Sequence, residues 1–104
     1  MPSHEIFSAL SNPVRRRILE LLLERPHAAG ELAEAFDLNR PAVSEHLQVL
    51  RNVGLVQEEA RGRQRIYHLK AEGLAEVEVW LQPFARYWRG RLRDLKRVLS
   101  QEKP

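Results

Sequence analysis

Residues 31–69 hold three patterns in a fixed order. Glu31-Leu32-Ala33-Glu34-Ala35-Phe36 has the spacing of a short helix, and Asp37-Leu38-Asn39 is a turn. Asn39 to Leu50 follows as a second helix, with Pro41 in its first turn. Leu55 to Leu69 then forms two β-compatible runs around Arg61-Gly62-Arg63. Helices this short, and a lone hairpin, are marginal in water by themselves. Each must dock an apolar face on something else, which restricts the chain to a small helical cluster carrying a hairpin.

The second helix shows how that docking divides its surface. Val43, Leu47 and Leu50 stand at i, i+4 and i+7 and share one face. Arg40, Ser44, Glu45 and Gln48 fall outside that stripe. Val53-Gly54 ends the helix, with Gly54 suited to a left-handed cap. Val56, Tyr67 and Leu69 are the expected anchors of the hairpin.

The flanking segments supply the rest of the cluster. Ser3 is placed to cap a first helix with Ile6, Phe7 and Leu10, and Ser11-Asn12-Pro13 breaks it and starts the next. Val14, Ile18, Leu21 and Leu22 make the stripe of that second segment, widened by Leu19 and Leu23, and Arg25-Pro26 ends it. Leu32, Ala35 and Phe36 give the next helix a narrow apolar face. From about 71 to 101 apolar residues recur every three or four positions, and Pro83 is expected to bend or divide that helix. The expectation is a single domain over 1–104, mainly α with a small β-hairpin, in the order α-α-α-α-β-β-α. Within it the helix pair covers about 28–53, the hairpin about 55–70 and the last helix about 71–101.

Several function classes drop out on composition. The chain has no cysteine, which removes disulfides, thiolate metal sites and thiol nucleophiles together. His4, His27, His46 and His68 are scattered, and no metal site or cofactor is expected from them. His46, beside the buried stripe, is expected to pack or bond within the helix pair. No catalytic triad, phosphate-binding glycine loop or paired catalytic carboxylates can be assembled, so an enzyme is not expected. Ile18 to Leu23 is interrupted by Glu20, so no membrane span is expected, and the N-terminus lacks a signal-peptide pattern. A soluble cytoplasmic protein is the expectation.

The charge pattern is more informative than the formal net charge of +3. Arg61, Arg63, Arg65 and Lys70 gather in the hairpin, and Glu58 and Glu59 stand at its base. Arginines concentrated around a glycine tip suit a phosphate backbone. A helix with an apolar back and short polar groups outward suits base edges: Arg40 for guanine, Gln48 for adenine, Glu45 for a cytosine amine. The candidate DNA-binding residues are Asn39, Arg40, Ser44, Glu45, Gln48, Arg61, Arg63 and Arg65, with double-stranded DNA as the partner. Arg15-Arg16-Arg17 is equally well read as a phosphate contact or a solvated helix face.

With those residues in view, the chain resembles the ArsR/SmtB-type winged helix-turn-helix repressors over nearly its whole length. The resemblance rests on residues 9–19, Glu31-Leu32-Ala33, residues 41–51, Gly54-Leu55-Val56, Gly62-Arg63 and Tyr67-His68-Leu69. It implies a homodimer whose terminal helices pack against their mates, with each wing reaching DNA beside a recognition helix. It also implies promoter binding and repression relieved by a signal. Ile6, Phe7 and Leu10, with Leu81, Phe84, Trp88, Leu92 and Leu95, are the expected dimer contacts.

Two departures qualify the resemblance. Ala33 and Ala35 stand where metal-sensing members carry a cysteine motif, and the last helix has no histidine, so thiolate metal sensing is not expected. Glu45 stands where many relatives are basic. Two alternatives stay open: a winged-helix protein-interaction module, and a regulator answering a small-molecule or protein effector through Trp80, Phe84, Tyr87, Trp88 and Leu92.

Overall fold

A computed structural model describes the backbone of residues 2–101 and the side chains of residues 5–101. In chain order the elements are α1 (Pro2–Leu10), α2 (Pro13–Glu24), β1 (His27–Ala28), α3 (Ala29–Phe36), α4 (Arg40–Asn52), β2 (Val56–Arg61), β3 (Gln64–Leu69), a 3-10 turn (Ala71–Leu74) and α5 (Ala75–Gln101). The strands form one antiparallel sheet in the order β1-β3-β2. The mainly helical fold with a hairpin is therefore present. The expected element order lacked β1, which pairs His27 with Tyr67 and Ala28 with Ile66.

Local chemistry explains the boundaries. Asn12 caps α2 by accepting from the N–H groups of Val14 and Arg15 at 2.8 and 3.1 Å. α1 starts at Pro2, so Ser3, expected ahead of it as a cap, falls inside its first turn. At α3 the Glu31 carboxylate reaches back to the N–H of Ala28 at 3.0 Å, satisfying a donor that the helix leaves free. Asp37 ends α3 in the left-handed region, at φ 54°. Gly54, at φ 81°, lets the N–H of Leu55 return to the carbonyl of Leu50 at 2.9 Å and closes α4.

The core is built where these elements converge. Ile18, Leu22, Leu32, Val43, Leu47, Leu50, Leu55, Val56 and Tyr67 are buried together. Ala33, not Ala35, is the small buried residue of α3, because Ala35 faces solvent. Leu19 joins the buried stripe of α2 as expected, whereas Leu23 is 72% exposed. Pro83 does not divide α5, which runs through it as one helix. Its ring stands on an exposed side of the helix, where the carbonyl left without a donor can be hydrated.

The arginine run following Asn12 holds α1 in place. Arg15 Nε donates to the carbonyl of Ala9 at 2.7 Å and its Nη2 to that of Ser8 at 3.3 Å. Arg16 Nη1 donates to the carbonyl of Leu10 at 2.8 Å. These are carbonyls of the last turn of α1, where no further turn of helix follows and a nearby cation is favoured; that of Ser8 also accepts from the N–H and hydroxyl of Ser11. The third contact of Arg15 is with His46 Nδ1 at 3.3 Å, so His46 bonds to α2 and not within the helix pair. Arg15 and Arg16 are therefore engaged with α1 and are not a purely solvated face. Arg15→Ala should destabilise the fold by about 1.5–3 kcal/mol, the range for hydrogen bonds to a charged group, and lower Tm by several degrees. Thermal unfolding beside Arg17→Ala checks this, because Arg17 pairs only with exposed Glu20; equal shifts would contradict it.

Candidate nucleic-acid interface

Docking of α4 sets the geometry of the outer face. Val43, Leu47 and Leu50 are at most 1% exposed. Arg40, Ser44, Glu45 and Gln48 consequently lie on the solvent side. Asn39 accepts from the N–H of Ala42 at 2.9 Å, so its side chain is engaged as the helix cap. Arg40 lies across the start of α3; a Cβ on Gly30 would stand 2.9 Å from its guanidinium.

Two surface clefts join this face to the β2–β3 hairpin. Arg40 and Ser44 share a groove with Gly30, Glu34, Arg63 and Arg65. Ser44, Gln48 and Arg51 share a second with Glu58, Arg65 and Tyr67. Ser44, Arg65 and Tyr67 line both. Glu45 lines neither, and is exposed on α4. Arg61 is also outside them.

Strand register accounts for the split among the wing arginines. Residues paired directly across antiparallel strands share a face, and Glu58 pairs with Tyr67 while Ala60 pairs with Arg65. Arg65 therefore stands on the α4 side with Glu58 and Tyr67. Arg61, paired with Gln64, lies on the opposite face with Glu59. Arg63 sits in the two-residue turn with Gly62, between the paired Arg61 and Gln64.

Glu58 and Glu59 do not stand apart from the arginines, as their place at the hairpin base suggested. Glu58 pairs with Arg51 of α4 and with Arg65 at 2.9 Å, and accepts from the Tyr67 hydroxyl at 3.0 Å. Glu59 pairs with Arg61 at 3.0 Å and meets His68 Nε2 at 3.1 Å. Among the described residues Arg63 is the wing arginine with no ion pair. Sequence spacing gave a signal for one of these pairs: Glu58 and Arg65 share a face of the hairpin two positions out of direct register, within reach of a diagonal contact.

The electrostatics of the carboxylates follow from these contacts. Partial burial pushes Glu58 upward, but hydrogen bonds from Tyr67 and Arg65 and the charge of Arg51 outweigh it, holding the carboxyl below its ordinary 4.5. Glu59 is lowered by its hydrogen bond from His68 and by the charge of Arg61. Tyr67 is raised, first by burial and then by donating to Glu58. A carboxyl lowered by folding contributes stability that is complete above its ordinary value and is lost as pH falls through the lowered one. An NMR titration of Glu58 should show a midpoint below 4.5 that rises in Tyr67→Phe. An unmoved midpoint would contradict the Tyr67 contact.

The expected dimer residues separate into two groups. Ile6 is 5% exposed and belongs to the chain's own core. Phe7 is half-buried and meets Trp80 edge-on at 5.4 Å, while Leu10 packs at the edge of the core. Leu81, Phe84, Trp88, Leu92 and Leu95 are all exposed. Among the described residues of α5 only Ala85 is buried.

No helix among the described residues is long and apolar enough to cross a membrane. No group of three His, Cys, Asp or Glu among them could hold a metal ion.

Comparison with known proteins agrees with this geometry. Residues 12–58 match the family model described as bacterial regulatory protein, arsR family. The chain is 38% identical to the HTH-type transcriptional regulator Rv2034 of Mycobacterium tuberculosis, over 92% of this chain and 87% of the relative. It is 32% identical to the transcriptional repressor SdpR of Bacillus subtilis, over 78% of this chain and 90% of the relative. The solution structure of a homodimeric winged helix-turn-helix DNA-binding domain from Mycobacterium bovis superposes with a TM-score of 0.68 at 29% identity, covering 82% of this chain and 79% of that one. The first two are named as a transcription regulator and a repressor, and the third as a DNA-binding domain. With a relative 38% identical over most of both chains and the winged helix-turn-helix architecture in place, the chain belongs to the arsR family of bacterial regulatory proteins.

Proposed function

We propose that this protein is a homodimeric, sequence-specific DNA-binding transcription regulator, acting as a repressor in the cytoplasm. The observation that carries the reading is the juxtaposition of α4 and the wing. The polar side of a helix anchored by Val43, Leu47 and Leu50 lies next to Arg63 and Arg65 across shared clefts. A helix entering the major groove would present Arg40, Ser44, Glu45 and Gln48 to bases while the hairpin follows the adjacent backbone. Asn39 supports that face from the helix start. The domain working as one winged helix-turn-helix unit, with 71–101 as its dimerisation segment, is part of this reading. So is a switch other than a thiolate metal site.

Charge pairing assigns different tasks to the arginines. Arg63, with no carboxylate to leave, is the direct phosphate ligand. Arg61 exchanges exposed Glu59 for phosphate at small cost, because exposed ion pairs contribute only about 0–1 kcal/mol, and Arg65 leaves a Glu58 that still has Arg51 and Tyr67.

Dimerisation is supported by α5. Trp80, Leu81, Phe84, Tyr87, Trp88, Leu92 and Leu95 are exposed large apolar side chains along one element, the kind of surface that marks an interaction site. Phe7 meets it at Trp80 from α1, which packs against α5, and Leu10 of the same helix is assigned to the contact with it.

Anisotropy titrations of labelled duplexes over a range of salt test the wing. Arg63→Ala should weaken binding to every duplex and reduce the salt slope by about one. An unchanged slope would remove Arg63 from the interface. Sedimentation tests the assembly: the wild type should be a dimer, and Trp88→Glu with Leu92→Glu should shift it to monomer at micromolar concentration. A dimer that survives both changes would place the interface elsewhere.

A further inference from the structure

We infer that Arg51 and Asn52 are positioning residues that hold the Gln48 carboxamide in one orientation, making it a reader of adenine at a single base pair. The inference rests on the DNA-binding reading above and goes beyond it, from the groups that approach DNA to the base that one of them selects.

Both ends of the Gln48 amide are engaged on α4. Arg51 Nη2 donates to Gln48 Oε1 at 2.7 Å. Gln48 Nε2 donates to Asn52 Oδ1 at 3.2 Å. The orientation is not arbitrary, since a guanidinium has donors and no acceptor. The atom facing Arg51 must be the amide oxygen, and the amine must then face Asn52. Arg51 is fixed in turn by the wing, through its ion pair with Glu58, whose other oxygen accepts from Tyr67. A chain of contacts thus runs from the buried face of β3 to an exposed amide on α4.

The valences left over are those that adenine requires. A carboxamide has two acceptor lone pairs and two N–H donors. With one of each occupied, Gln48 keeps one acceptor and one donor at the mouth of the cleft it lines with Ser44 and Arg65. Adenine offers N6–H to the acceptor and N7 to the donor in the major groove, and a good bidentate pair discriminates about fivefold to 150-fold against the wrong base. A freely rotating amide would present either end to a base; the Arg51 and Asn52 contacts remove that freedom before binding.

The test begins by selecting a preferred duplex from a random-core library with the wild-type protein. Affinities are then measured for all single base-pair changes in that duplex with wild type, Gln48→Ala, Arg51→Lys, Asn52→Ala and the double variant Gln48→Ala with Arg51→Lys. Arg51→Lys keeps the charge opposite Glu58 but lacks a planar fork to bridge Glu58 and Gln48. Asn52 is exposed, so Asn52→Ala provides a variant that leaves the core alone. Gln48→Ala should abolish the preference for adenine at one base pair, and Arg51→Lys and Asn52→Ala should each reduce it severalfold at that same pair. Arg51→Lys should add no further loss there once Gln48 is gone. Losses spread evenly over all positions would be those of a displaced helix and would overturn the inference. So would an adenine preference intact in Arg51→Lys and Asn52→Ala, or the absence of any position that depends on Gln48. Those outcomes leave DNA binding standing, whereas failure of the wild type to enrich or bind any duplex would defeat both readings.

Discussion

The anchoring of α4 in the core is the contact on which the interface depends. Val43, Leu47 and Leu50 are buried among Ile18 and Leu22 of α2, Leu32 of α3 and the hairpin residues Val56 and Tyr67. Each such side chain contributes about 1.5–3 kcal/mol by leaving water, and together they fix the rotation of the helix. That rotation decides which residues face outward. Because the same core receives Val56 and Tyr67, the wing is set relative to α4 by the packing that orients α4 itself. α4 and the hairpin are therefore set by one packing arrangement and are not two modules joined by a loop.

Electrostatics refine what packing positions. Glu58 ties Arg51 of α4 to Arg65 and Tyr67 of β3, so one carboxylate spans the cleft between helix and wing. Its lowered pKa expresses the preference of the ionised form for those partners. The same device moderates the wing. Arg61 and Arg65 have internal carboxylates to hold them, and among the described residues Arg63 does not. A hairpin tip with three unpaired arginines would repel itself; among the described residues this one presents a single unpaired arginine and two held by carboxylates.

Much of this arrangement was legible in the sequence, for identifiable reasons. The i, i+4, i+7 spacing of Val43, Leu47 and Leu50 is a helical stripe, and Asn39, Pro41 and Gly54 punctuate it with residues whose backbone chemistry suits those positions. β1 was not legible, because two residues cannot display an alternation and His27–Ala28 is a strand only by pairing with β3. The contacts of Arg15 and Arg16 with the carbonyls of α1 were hidden for a related reason: they depend on how two helices meet, which no periodicity records. Glu58 could be placed on a strand, but its link to Arg51 requires the distance between β2 and α4. Ile6 had the hydrophobicity of a dimer contact, and the fold uses it within the chain's own core.

The uncovered side of α5 completes the picture, since a regulator of 104 residues has little core of its own and gains from a second copy. Two copies related by a two-fold axis would present two α4–wing units, and the DNA they select must carry the same symmetry. The most direct measurement is therefore selection of duplexes from a random pool by the purified protein, followed by sequencing of the bound fraction. The account predicts enrichment of an inverted repeat whose half-site centres lie about 10–10.5 base pairs, or a multiple of that, apart. A bound pool as random as the starting one would contradict it.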